Sequence, residues 1–144
     1  MSLIQRSSAA CPRFAARVLT SSLTPVGLGF GRAGVGATML ARPTALPGLL
    51  GVDSATGNRV SWVVQMLGAR EVALGLGTVA GLRSGDPRTG RTWLAAGLLC
   101  DAVDAVALAA AVRGKRVSTA PGVAVVGVAL TAVAVAAAEL SRGR

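Results

Sequence analysis

Residues 60–82 read VSWVVQMLGAREVALGLGTVAGL. The stretch has no proline and only two charged residues, and its length suits a helix crossing a hydrocarbon core about 30 Å thick. It shows no alternation of polar and apolar residues of the kind a half-buried strand needs, and an open sheet cannot satisfy its edges in lipid. The two charges, Arg70 and Glu71, stand at its centre, where a charge facing lipid costs roughly 2.5–3.5 kcal/mol on insertion scales. A span that keeps both is expected to turn them toward something polar.

Three further apolar runs flank this one. The first covers about 26–42, is rich in glycine and is interrupted by Arg32. It sits at the short limit for a span, and an extension back through Phe14 to Leu23, kinked at Pro25, would lengthen it. The third covers about 92–112 and contains Asp101 and Asp104. The fourth covers about 121–140 and is almost purely valine and alanine until Glu139. Between the runs lie turn-forming residues, including Pro43, Pro47, Gly51 and Asp53, then Gly85-Asp86-Pro87, then Gly114 to Thr119. Pro121 is placed where a helix tolerates proline, at its first turn. The expected fold is all-α, an integral membrane four-helix bundle over residues 26–140. A basic tail precedes it over residues 1–25 and a short tail follows over 141–144.

Composition agrees. The chain has 144 residues, of which 52% are hydrophobic and 15% charged, against about 25% charged in soluble domains. Its mean hydropathy is +0.60. The net charge of +9 comes from 15 Arg and Lys against 6 Asp and Glu. Nucleic acid is not the partner this implies, because the basic residues lie in short connectors and tails, with no aromatic stacking set and no basic stripe. Arginines flanking apolar spans are what topology requires. One side would carry Arg6, Arg13, Arg17, Arg83, Arg88, Arg91, Arg142 and Arg144. The other would carry Arg42, Arg59, Arg113, Lys115 and Arg116. That balance predicts a multi-pass protein of the cell membrane with both termini in the cytoplasm. Residues 1–25 are rich in arginine and serine and hold no acid, so they read equally well as a cleaved targeting segment.

There is no histidine, which removes a conventional histidine-containing metal site and a Ser-His-Asp triad. No cofactor or metal is expected. Cys11 and Cys100 lie in the tail and in the third run, so no disulfide is expected, and Cys100 reads as a small buried hydrophobe. Trp62 and Trp93 each lie near the start of a span and read as interfacial anchors. Ser61 and Gln65 read as packing or hydrogen-bonding residues. Gly27 and Gly31 have the spacing of a close helix–helix contact. Gly75 and Gly77 are not a nucleotide loop, since they lie mid-span with no strand before them.

The candidate site is the set of central charges: Arg32, Arg70, Glu71, Asp101 and Asp104. All lie within about 5 Å of depth of a span centre, at 1.5 Å per residue. Asp101 and Asp104 are three apart and share a helix face. Arg70 and Glu71 point about 100° apart, so one can face the third helix and the other the first. The natural pairs are Arg70 with Asp101 or Asp104, and Arg32 with Glu71. Two arginines against three carboxylates leave one negative charge, to be met by a proton or a cation.

These elements, Gly31-Arg32-x-x-x-Gly36 leading to Ala41-Arg42-Pro43, Gly68-Ala69-Arg70-Glu71-x-x-x-Gly75, and Asp101-x-x-Asp104, resemble a family of small four-helix membrane proteins common in actinobacteria, a DUF4267-like domain of unknown function. The resemblance covers roughly residues 26–140. It implies a membrane location and supplies no catalytic residues.

The leading expectation is a non-enzymatic membrane protein that assembles with a membrane protein partner or binds a hydrophobic small molecule at its polar centre. One alternative is a membrane enzyme using Asp101, Asp104 or Glu71 as general acid on an isoprenoid-like substrate, since a carboxyl kept protonated in an apolar pocket can donate. Another is proton-coupled transport along the carboxylates.

Overall fold

The computed structural model describes residues 24–142. Almost all of the expected basic tail, with Cys11, Arg6, Arg13, Arg17 and the proposed extension through Phe14 to Leu23, lies outside the described residues, as do the last two residues of the chain. Among the described residues every regular element is a helix: α1 (Pro25–Ala41), α2 (Ala45–Leu49), α3 (Ser54–Arg59), α4 (Ser61–Arg83), α5 (Pro87–Arg113) and α6 (Thr119–Arg142).

The four apolar runs fall in α1, α4, α5 and α6. The largest shift is at α5, which begins well ahead of the expected residue 92. Pro87 occupies its first turn, and the Asp86 side chain accepts from the backbone N–H of Arg88 at 3.0 Å and of Thr89 at 3.2 Å. An aspartate cap followed by proline is a helix start, so the polar stretch 87–91 is helix rather than loop. The first connector also holds more structure than turn residues suggested. Asp53 caps α3 through the Thr56 N–H at 3.0 Å.

α4, α5 and α6 are long and apolar enough to cross a membrane, and α1 is shorter, at 17 residues. α1 packs on α4, α4 on α5, and α5 on α6, while α6 touches α1 only lightly. Large apolar side chains stand on the outside of the bundle. Phe30, Trp62, Met66, Leu99, Val106 and Val128 are all more than half exposed. The interior instead holds Arg32, Asp101 and Thr78 among small and medium apolar residues such as Val64, Leu94 and Ala136. Hydrocarbon would leave the exposed residues at no cost, and water would not.

Glycine sets the α1–α4 distance. A Cβ on Gly36 would stand 2.5 Å from the Gly68 carbonyl oxygen, and one on Gly68 would stand 2.8 Å from the Gly36 carbonyl oxygen. Gly29 and Gly75 face each other in the same way. Gly29 to Gly36 and Gly68 to Gly75 are both two helical turns, so an antiparallel pair of helices meets backbone to backbone at two levels. The contact expected at Gly27 and Gly31 is not the one used: Gly31 faces open space. On the other side of α4, the Trp93 indole lies over Gly77 and Gly81, so of the two tryptophans read as anchors only Trp62 stands clear of the bundle.

The connectors at one end are tied together. The Ser118 N–H donates to the Leu50 carbonyl at 2.8 Å, which brings the first and last connectors, with Arg42, Arg59, Arg113, Lys115 and Arg116, to the same end. Arg83, Arg88, Arg91 and Arg142 belong to the other, where the Arg83 guanidinium sits 5.5 Å from the centre of the Phe30 ring.

Two outcomes follow. Gly36→Val drives a side chain into the α4 backbone, so it is expected to destabilise the protein by about 1–3 kcal/mol, while Gly31→Val, facing open space, leaves the detergent melting temperature near that of the parent. The Thr89 hydroxyl, then the Arg88 and Thr89 N–H groups, hold the Asp86 carboxyl below its usual range. A carboxyl depressed in the folded state contributes stability that is complete above its unfolded value and is lost as pH falls through the folded one. Acid melts from about pH 4 downward should therefore cost Asp86→Asn less than the parent.

Candidate functional site: an alternating chain of five charges

The five central charges meet. The Arg32 Nη1 donates to Asp101 Oδ2 at 2.6 Å, and its Nη2 lies 3.1 Å and 3.0 Å from the two Glu71 carboxylate oxygens. The Arg70 Nη2 donates to Glu71 Oε1 at 3.2 Å and makes a short bond to Asp104 Oδ2. In order, the contacts run Asp101, Arg32, Glu71, Arg70, Asp104, with signs alternating at every step. The run leaves α5, crosses to α1, returns through α4 and ends on α5.

Local structure explains each placement. Arg70 and Glu71, adjacent on α4, diverge by about 100°, so Glu71 faces α1 and Arg70 faces α5. Asp101 and Asp104 share a face yet take different arginines. Of the pairs open from spacing, Arg32 with Glu71 and Arg70 with Asp104 are the ones formed. Two further pairs, Arg32 with Asp101 and Arg70 with Glu71, join them and let Glu71 serve two cations and Arg32 two anions.

Gly97, one turn before Asp101, leaves room for the reach from α1 to α5. A Cβ there would stand 3.3 Å from the Arg32 Nη1. The signal was present in the sequence, a glycine four residues before a central aspartate, but it is shared by many glycines that touch nothing polar.

The two ends of the chain differ in environment. Arg32, Glu71 and Asp101 keep only 7%, 13% and 11% of their side-chain surface exposed, while Arg70 and Asp104 keep 33% and 42%. The Nε atoms of Arg32 and Arg70 are buried and have no hydrogen-bond partner among the described residues. Thr78, also buried, donates to the Leu74 carbonyl within its own helix at 2.8 Å.

Other sequence candidates lie elsewhere. The Ser61 hydroxyl donates to the Asn58 carbonyl at 2.8 Å at the start of α4, and Gln65 is exposed. Cys100 is a free, half-buried thiol. No group of three or more metal-ligating side chains occurs among the described residues. One cleft of about 480 Å³ opens between α1 and α6, walled by Leu28, Val128 and Val135 among small residues. A second, of about 300 Å³, lies at the α4–α5 turn beside Asp86, Arg91 and Glu139. Neither is lined by any of the five central charges.

Comparison with family models, with curated proteins and with solved structures finds no match for this chain. The resemblance to the DUF4267-like family therefore rests on the Gly-Ala-Arg-Glu element and its neighbours alone.

Breaking the chain at its most buried cation should be the most damaging change. Arg32→Met leaves Glu71 and Asp101 buried without their shared partner, a loss of about 3–5 kcal/mol. Arg70→Met, at the exposed end, should lose less. Folded yield in membranes and melting temperature in mild detergent read both, and equal behaviour of Arg32→Met and the parent would sink the structural role.

Proposed function

We propose that the chain is an integral membrane protein of four spans, with both termini in the cytoplasm, whose charge network holds three helices in register and whose work is assembly with another membrane protein. The observation that carries this reading is where charge and apolar surface lie: paired charges meet between the helices, with Arg32 and Asp101 buried, while large apolar side chains stand on the exterior. Three helices already have the length and apolarity to cross a membrane. α1 lies alongside them with its arginine at the same depth, which supports counting it as a fourth span. An even count puts the two ends on one side, and the excess of arginine on the side of the termini supports the cytoplasm. That excess depends on Arg6, Arg13, Arg17 and Arg144. The described residues alone are nearly balanced between the two ends.

Assembly is favoured over chemistry because each of the three carboxylates is ion-paired with an arginine, and two of them, Glu71 and Asp101, keep little side-chain surface exposed. A general acid must face its substrate. Asp101 and Glu71 face Arg32 instead, and the apolar cleft that a hydrophobic substrate could enter lies between α1 and α6, lined by neither carboxylate. Proton-coupled transport would need carboxylates strung toward both surfaces, whereas these three gather at one depth. The resemblance to the DUF4267-like proteins fits this reading and adds no activity to it.

The test is topological. Reporter fusions after residue 50, after residue 86, after residue 116 and at the C-terminus should alternate in sidedness, with the C-terminus in the cytoplasm, and alkaline carbonate should leave the chain in the membrane pellet. Release by carbonate, or a C-terminal reporter outside the cell, would overturn the reading.

A further inference from the structure

The charge chain is closed at one end and open at the other. Its closed end is the triad of Arg32 with Glu71 and Asp101, whose side chains keep little surface exposed. Its open end is the dyad of Arg70 and Asp104, on the outer side of the α4–α5 groove. Met66 and Ala73 lie at i−4 and i+3 from Arg70, and Cys100 and Ala107 at i−4 and i+3 from Asp104, so each set shares a face with its charge. Met66, Ala73 and Ala107 are exposed and Cys100 is half-buried. The dyad thus stands at the centre of an apolar surface with an alanine on either side of it, Ala73 toward one end of the bundle and Ala107 toward the other.

On the membrane reading proposed above, this surface cannot face lipid. The dyad is about 14 Å from the start of α4 and from the end of α5, at 1.5 Å per residue. An aspartate has one methylene and cannot carry its head to the interface from that depth. Arg70 partners Asp104 Oδ2, but the pair stays part-exposed, and an ion pair left against hydrocarbon keeps a desolvation cost that a polar cover removes.

Charge selects the occupant. A helix bringing a lone cation to Asp104 would press it against Arg70, and one bringing a lone anion to Arg70 would press it against Asp104. The complement must itself be a cation beside an anion. A second copy turned by a twofold axis supplies that pair in the required order, and a twofold contact between identical surfaces is the commonest closed assembly. The alanines permit the close approach that membrane helices use. We propose that the chain forms a twofold-symmetric dimer through its outer α4–α5 face, with Arg70 of each copy set against Asp104 of the second copy.

The experiment uses two full-length variants with different tags. Arg70→Asp and Asp104→Arg each place like charges in the dyad, but together each supplies what the other lacks. The parent should run as a dimer in nanodiscs or mild detergent. Each variant alone should dimerise at least about tenfold more weakly, and the co-expressed pair should be recovered together through both tags at the parent's level. A parent that stays monomeric at all concentrations, or a mixed pair no better than either variant alone, overturns the proposal. Should the charge variants fail to accumulate, oxidative cross-linking in native membranes decides. Val103→Cys, at an exposed position next to Asp104, should form a covalent dimer in a background with both natural cysteines removed, Cys11→Ala and Cys100→Ala. Cross-linking only from Val128→Cys on α6 would place a second copy on the wrong face and overturn the proposal. Carbonate extraction of the parent separates the two levels: release from the membrane defeats the membrane reading, while a retained monomer defeats only the dimer.

Discussion

The alternation of Asp101, Arg32, Glu71, Arg70 and Asp104 constrains everything around it. Each interior member of the run has an opposite charge on both sides, so none is buried alone, and the contacts pass through three helices before returning to the first. Charges taken out of water are tolerated only where geometry gives them partners at hydrogen-bond distance. The helices must therefore keep α1, α4 and α5 at fixed heights and rotations. α6, which brings no charge near its centre, is held chiefly by packing on α5, and the loosest seam in the bundle is the one between α6 and α1.

The glycines serve that constraint. Arg32 sits midway along α1 between Gly29 and Gly36, the two positions where the α1 backbone touches α4. Glu71 sits midway between Gly68 and Gly75, the positions that receive them. The close approach at both levels brings Glu71 within reach of Arg32 without either side chain extending far from its helix. Gly97 removes the side chain that would otherwise stand against the same guanidinium from α5. Packing and electrostatics are thus one arrangement: the small residues set the distance and the charges use it.

The sequence made the apolar runs, their rough limits and the membership of the polar centre legible. Length and hydropathy determine the first, and depth along a span determines the last. Rotation about each helix axis was less legible. The series Gly27, Gly29, Gly31, Gly34 and Gly36 offers several small-residue faces, and a spacing of four picks Gly27 and Gly31, whereas the seven-residue interval from Gly29 to Gly36 is the one used because it matches Gly68 to Gly75 on the opposing helix. That match is a property of two segments together, and neither shows it alone. The same holds for Glu71, whose two partners depend on how α1 and α5 are turned toward α4. The early start of α5 is a local matter by contrast: Asp86 before Pro87 is a helix start, and the polar residues that follow disguise it as a loop.

A reason for using charges at all lies in the composition. In lipid no hydrophobic drive pulls helices together, and helices made chiefly of alanine, valine and glycine present surfaces with little shape to tell one register from the next. A slip by one turn moves a helix 5.4 Å and would cost such surfaces few contacts. The same slip separates Arg32 from Glu71 and Asp101, which it holds at 3.0 Å and 2.6 Å, and leaves buried charges without partners, at several kcal/mol each. Specificity absent from the apolar surfaces is thus supplied by the run of charges, in the way a single buried polar residue sets register in a coiled coil. Because both ends of the run are acids, each end leaves a carboxylate with a single arginine, Asp101 closed off beside Arg32 and Asp104 part-exposed beside Arg70.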